Sequence, residues 1–256
     1  MTASMTLSID GQTGGWSWLR RHRSAAAAGL VVGHMTFFVG SALAFRLLMP
    51  DVSGYVQSGL ITIAVALAWA AVLLRGGWAH EIGFTQTSEW SHLRLLIIPA
   101  VLALLPLLGG VHGASAAMLT LMVVGYVATA LFEETLFRGV LLGMFLQSGT
   151  SRAILISSLL FGLIHLQNVL FRDNPMMVFS QAIGVFCFGV GYSVLRLRTN
   201  TIWPLIALHF LTDFTLQLTN LPLGAKIGLM VAQDTALSIY GIYLYRRSRI
   251  SAAAAR

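Results

Sequence analysis

The stretch AAMLTLMVVGYVATALFEETLFRGVLLGMFL, residues 116–146, carries Glu133, Glu134 and Arg138 and otherwise no charged side chain. At 1.5 Å per residue, a helix of this length exceeds the roughly 30 Å of hydrocarbon in a bilayer. It is too long for one straight crossing, so it is expected to tilt, kink or run into the interface. A charge at the bilayer centre costs about 2.5–3.5 kcal/mol on insertion scales. Three such groups in one helix must therefore face a bundle interior, a water-filled cavity or one another.

The chain around this stretch has the same character. Of its 256 residues, 57% are hydrophobic and 10% charged, against about 25% charged in an ordinary soluble domain. A soluble core of this size could not bury so much apolar surface, because part of every globule faces water. Further apolar runs fall near residues 29–48, 56–74, 93–109, 152–170, 176–195, 202–219 and 225–245. The connections between them are short and marked by turn-forming pairs such as Pro50-Asp51, Gly109-Gly110 and Asn174-Pro175. The expected fold is all-α: a polytopic transmembrane bundle of about eight helices around an intramembrane polar cavity. Residues 1–28 are expected as an N-terminal tail, 29–245 as the transmembrane domain with its chemical core at about 116–220, and 246–256 as a basic tail. The run at 29–48 is longer than a signal-peptide core and is expected to stay uncleaved.

With eight crossings, one side collects Arg20, Arg21, Arg23, Arg75, Arg94, Arg152, Arg196, Arg198, Arg246, Arg247, Arg249 and Arg256. The other side has Arg46, Arg172 and Lys226. Cytoplasmic loops are enriched in Lys and Arg, so both termini are expected in the cytoplasm of a multi-pass plasma-membrane protein. Loop arginines also account for the net charge of +7. The cations are scattered between helices rather than gathered in one patch, which argues against a nucleic-acid partner. Lipids, and a membrane-associated protein or peptide, are the expected partners. A single cysteine, Cys187, forbids an intramolecular disulfide and any CxxC metal pair.

Three of the apolar runs break the apolar pattern together: the fourth with Glu133, Glu134 and Arg138, the fifth with His165, and the seventh with His209 and Asp213. Glu134 and Arg138 stand at i and i+4, acid first, the favourable order for a helical ion pair. Glu133 points elsewhere at 100° per residue and has no partner on its own helix. Phe161 with His165, and His209 with Asp213, repeat the i, i+4 spacing. Two histidines and a carboxylate converging on Glu133 can activate a water and hold an oxyanion. They can equally bind a divalent metal such as zinc, with Glu133, His165 and His209 as ligands. Gly139 and Gly143 form a GxxxG pair against which another helix is expected to pack.

Three motifs now stand in order on apolar helices. Glu133 to Arg138 reads EExxxR, Phe161 to His165 reads FxxxH, and His209 to Asp213 reads HxxxN/D. Together they resemble the CAAX prenyl endopeptidase and bacteriocin-processing family of intramembrane proteases, known as CPBP or Abi. The resemblance covers about residues 125–220. It implies an all-helical membrane peptidase in which Glu133 activates water with help from His165. His209 and Asp213 would stabilise the tetrahedral intermediate, while Glu134 and Arg138, with Phe161, would brace the site. Asp213 stands where relatives also have Asn. As an ionised acid it is a poor oxyanion donor, so it would be protonated or would orient His209 instead. Both metal-dependent and metal-free chemistry are compatible with the resemblance.

Other chemistries lack their motifs. There is no HExxH, no GxGD, no nucleotide-binding P-loop, and Gly113-Ala114-Ser115-Ala116 lacks the glycine of a rhomboid-type serine. The alternatives to a peptidase are a non-enzymatic membrane scaffold, for example one conferring immunity to a bacteriocin, and a proton-coupled transporter. His34, His80, His92 and His112 are expected to take no part in catalysis.

Overall fold

The computed structural model describes residues 14–170, 172 and 174–254. Among these the chain is about 85% helical. The helices are α1 (Gly14–Arg21), α2 (Arg23–Leu48), α3 (Gly54–Gly76), α4 (Ser91–Gly109), α5 (Ala116–Ser148), α6 (Thr150–Leu170), α7 (Pro175–Thr199), α8 (Trp203–Leu218) and α9 (Leu223–Ala254). Seven of them are long and apolar enough to cross a membrane. The eighth expected crossing is α8, which at 16 residues falls short of that length.

Within the segments expected as tails, Gly14–Arg21 is helical, His22 is a turn, a second helix begins at Arg23, and α9 continues past residue 245 to Ala254. The alanines at 25–28 are good helix formers and extend the apolar run backwards. Residues 1–13 and 255–256 of the expected tails lie outside the described residues.

The helix ends follow from local chemistry. Ser53, Ser115 and Asn174 cap α3, α5 and α7, each accepting a hydrogen bond from a backbone N–H three residues on. Pro175 occupies the first turn of α7, where no N–H is needed. Gly77 ends α3 in the left-handed region at φ 65°.

The bundle is apolar outside and polar within. Val32, Leu67, Ile98, Leu155, Ile183 and Ile239 project outward from six different helices. Glu133, Glu134, Arg138, His165 and His209 are buried. In lipid, where helices gain nothing from hiding apolar surface, close backbone packing holds them together. One tight case is α7 on α9: a Cβ at Gly191 would lie 2.6 Å from the Leu237 carbonyl oxygen, and one at Gly241 2.8 Å from the Cα of Gly191. The GxxxG pair of α5 behaves differently from expectation. A Cβ at Gly139 would meet Ile82 of the α3–α4 loop, and one at Gly143 would meet Trp16 of α1. Thus a loop and the short first helix, not another crossing, fill the notch.

In α4 two prolines break the backbone ladder. Pro99 and Pro106 have no N–H, so the carbonyls of Leu95 and Leu102 lose their donors four residues on, and Leu102 O keeps a bond only from the Leu105 N–H. A lone carbonyl in hydrocarbon is costly. The Tyr240 hydroxyl donates to Leu95 O at 3.0 Å, and the Gln233 amide donates to Leu102 O. Both donors sit on α9, so the prolines specify where α9 docks. Gln233→Leu is expected to destabilise the protein by about 0.5–1.5 kcal/mol, the usual net contribution of one hydrogen bond, since Leu102 O keeps its bond from the Leu105 N–H. Thermal unfolding in detergent would show this as a lowered midpoint; an unchanged midpoint would refute the pairing.

Candidate active site

The EExxxR motif does not lie on ordinary α-helix. From Glu134 to Leu141, α5 winds as a π-helix, with α-helix before it and after it. Bonding from i to i+5 turns the chain through fewer degrees per residue than an α-helix does. Residues five apart are therefore brought nearer one face, and all eight residues of the segment are buried. The chain N-terminal to the π segment places Glu133 on the wall of a cavity of about 200 Å³. The π segment itself turns Glu134 and Arg138 into the protein behind it.

Glu134 Oε1 accepts from Arg138 Nη1 at 3.1 Å and from His209 Nδ1 at 2.7 Å. Both charged residues of the pair are sealed from solvent, at 0% and 1% exposure. The Arg138 Nε and Nη2 atoms have no hydrogen-bond partner among the described residues. Instead the guanidinium lies over aromatic faces: 4.2 Å from the Phe161 centroid, 5.4 Å from Phe188 and 5.8 Å from Tyr192. Those rings supply attraction through their π faces, which a dry site strengthens. Phe161 thus has a definite position: it supports Arg138 on one side and meets the His165 ring edge-on at 4.7 Å.

Glu133 faces the two histidines. His165 Nε2 is 3.8 Å from its Oε1, and His209 Nε2 is 3.6 Å from its Oε2. Both separations exceed direct hydrogen-bond length, the range in which a bridging water belongs. Glu133 Oε2 has no hydrogen-bond partner among the described residues. The histidine tautomers follow from their other nitrogens. His165 Nδ1 donates to the Phe161 carbonyl at 2.9 Å, which leaves Nε2 with a lone pair in the neutral ring. His209 Nδ1 donates to Glu134, so its Nε2 edge is the one presented to the cavity.

Asp213 lies on that same edge, with Oδ2 3.5 Å from His209 Nε2. Its side chain is about one-third exposed, far more open than the rest of the cluster. The carboxylate that orients His209 through Nδ1 is Glu134, and Asp213 stands at the open side instead.

All seven residues singled out by motif are therefore gathered within one cluster from α5, α6 and α8. Several contributors carry no motif. Asp234 of α9 is buried and lines the cavity; an acid in the last apolar run was its only signal. Phe188 and Tyr192 of α7 stack at 3.8 Å beneath Arg138, and nothing distinguishes them from packing residues in the sequence. Trp69 of α3 donates to Thr135 Oγ1 at 2.8 Å and ties the π segment to its neighbour. His34 sits behind the site, stacked on Phe132 and 3.0 Å from Gln167 Nε2.

As a metal site the cluster does not fit. Among the described residues no group of three or more His, Cys, Asp or Glu side chains is arranged to hold a metal ion. Of the three expected ligands, His209 turns its Nε2 edge to two carboxylates at once, Glu133 and Asp213, an arrangement that favours a donating N–H over a free lone pair.

Residues 114–215 match the family model described as Type II CAAX prenyl endopeptidase Rce1-like, a family of membrane proteases. That span holds all three motifs. No curated protein and no solved structure matches the chain.

Proposed function

We propose that this chain is an intramembrane endopeptidase that hydrolyses a peptide bond of a membrane-associated substrate with a water activated by Glu133. The observation that carries the reading is the pocketed carboxylate: Glu133 between two imidazole Nε2 atoms, 3.8 and 3.6 Å away, on a cavity wall.

A water bridging Glu133 and His165 gives one proton to the Glu133 carboxylate as its oxygen attacks the scissile carbonyl carbon. The neutral His165 accepts the water's second O–H through its Nε2 lone pair and so aims the oxygen. The carbonyl oxygen becomes an oxyanion, and His209 donates to it from Nε2. Glu134 holds that ring through Nδ1 and compensates the charge of the doubly protonated imidazole, while Arg138 holds the Glu134 carboxylate in place. Glu133 then delivers its proton to the leaving amine as the C–N bond breaks. Asp213, at the open side, takes the position of a contact to substrate backbone or to the His209 edge. We read both termini as cytoplasmic, from the distribution of arginines.

The test compares new protein N-termini, by mass spectrometry, in membranes carrying the unaltered chain or Glu133→Gln at equal abundance. Cleavages present only with the unaltered chain are expected, and they identify substrates directly. Identical profiles from two folded proteins would favour a scaffold or immunity role.

A further inference from the structure

The six helices that line the cavity all do so from the same half of the bundle. Ser58 and Lys226 lie just inside the starts of α3 and α9, and Gln181 near the start of α7. Asn168 and Gln217 lie at the ends of α6 and α8. Thr129 of α5 precedes the π segment. Given the antiparallel order of the crossings, these positions share one membrane face: that of the connections at 49–53, 110–115, 171–174 and 219–222.

Contacts between connections confirm that the ends are sorted in this way. On the cavity side, Val111 pairs with Thr219, His112 Nε2 lies 3.0 Å from Gln217 O, and Arg46 donates to Leu170 O. On the opposite side, Trp16 meets Trp78 at 6.1 Å, Asn200 Nδ2 donates to Gln86 at 3.3 Å, and Trp203 Nε1 donates to Phe84 O at 3.0 Å.

The two ends differ in charge. Among the described residues, Arg46, Arg172 and Lys226 are the cations of the cavity end, whereas Arg20, Arg21, Arg23, Arg75, Arg94, Arg152, Arg196, Arg198, Arg246 and Arg247 belong to the other. Short loops rich in Arg remain in the cytoplasm, where anionic lipid and the membrane potential favour them.

We infer that the cavity opens on the extracytoplasmic face, and that its substrate is a membrane-associated peptide segment presented from that face rather than a lipidated tail presented from the cytoplasm. The second half rests on the peptidase reading; the first does not. Polar side chains at the mouth (Asn168, Gln181 and Gln217) suit an extended peptide backbone, whose N–H and C=O groups need partners as they leave water. Lys226, beside Gln217 O at 3.5 Å, puts a cation at the same opening.

Cysteine accessibility tests the orientation. In a Cys187→Ser background, Asn220→Cys marks the cavity end and Thr87→Cys the opposite end; both positions are exposed and outside the site. Bacterial spheroplasts expressing each variant are treated with a membrane-impermeant maleimide before and after lysis. Before lysis, Asn220→Cys should label at least about tenfold more than Thr87→Cys, because a bilayer separates the two positions. After lysis the two should label alike. Preferential labelling of Thr87→Cys in intact spheroplasts, or no labelling of Asn220→Cys above the cysteine-free background, would overturn the orientation.

The substrate half is read from the positions of the new N-termini. Cleavages in outward-facing segments support it, and cleavages confined to cytoplasmic segments overturn it. Outward labelling without any cleavage would instead defeat the peptidase reading and leave the orientation standing.

Discussion

With purified protein and a cleaved peptide, Glu133→Gln is expected to lower kcat by about 10²- to 10⁴-fold, the usual contribution of a positioned general base. The melting temperature in detergent should change little. Gln has the same shape as Glu, and Glu133 is not engaged in a short hydrogen bond that holds the fold: its nearest imidazole nitrogens stand at 3.6 and 3.8 Å. The amide removes basicity without opening a hole. Glu133→Asp is the sharper companion, since it keeps the charge but withdraws the carboxylate by about one methylene. A misplacement of about 1 Å can cost about 10²-fold, so Asp should also be severely impaired. If Gln retained the rate of the unaltered chain, the carboxylate would not be the base. If Asp were fully active, the role would be a diffuse negative charge rather than a positioned proton acceptor.

Arg138→Met should act on stability instead. Breaking a buried ion pair by removing one partner typically costs about 3–5 kcal/mol, because the surviving charge remains desolvated. Here, among the described residues, Glu134 would keep only the His209 ring on Oε1, and its Oε2 already has no hydrogen-bond partner. The substitution also removes the cation from above Phe161, Phe188 and Tyr192. Adding Glu134→Gln to Arg138→Met should restore much of the lost stability, since no unpaired charge then remains. Unfolding in detergent across the four combinations gives the coupling directly. Additive losses would show that Arg138 acts through packing alone. Activity should not return in the double variant, because His209 would lose its charged partner at Nδ1.

The crossings were legible in the sequence because lipid enforces a simple rule: apolar runs of sufficient length between short polar turns. The edges were less so, since alanines at 25–28 and the run past residue 245 extend helices without a hydropathy boundary. The ionisable cluster was legible for the same energetic reason, as Glu133, Glu134, Arg138, His165, His209 and Asp213 are too costly in hydrocarbon to be scattered at random. Spacing gave the Glu134–Arg138 pair correctly. It could not give the contact between Glu134 and His209, 75 residues apart, which brings a second carboxylate to the ring that Asp213 meets at Nε2. Nor could it give the π winding of Glu134–Leu141: Thr135, Leu136 and Phe137 sit in any helix, and the neighbours that meet the segment, Trp69 at Thr135 and Ile82 at Gly139, are far away in the chain. Phe188 and Tyr192 look like any core aromatics until Arg138 is placed above them.

The shortness of α8 has a consequence for the surrounding bilayer. Sixteen residues span only about 24 Å, some 6 Å less than an ordinary hydrocarbon layer. Hydrophobic mismatch of this kind draws lipid headgroups and water toward the shorter helix. Because α8 carries His209 near its middle and Asp213 in its second half, a bilayer that thinned to match this helix would shorten the path of hydrolytic water to the cluster. Acyl-chain length thereby becomes a variable of the chemistry: lipids that fit the long helices best leave the short one, and the site it carries, the least well matched.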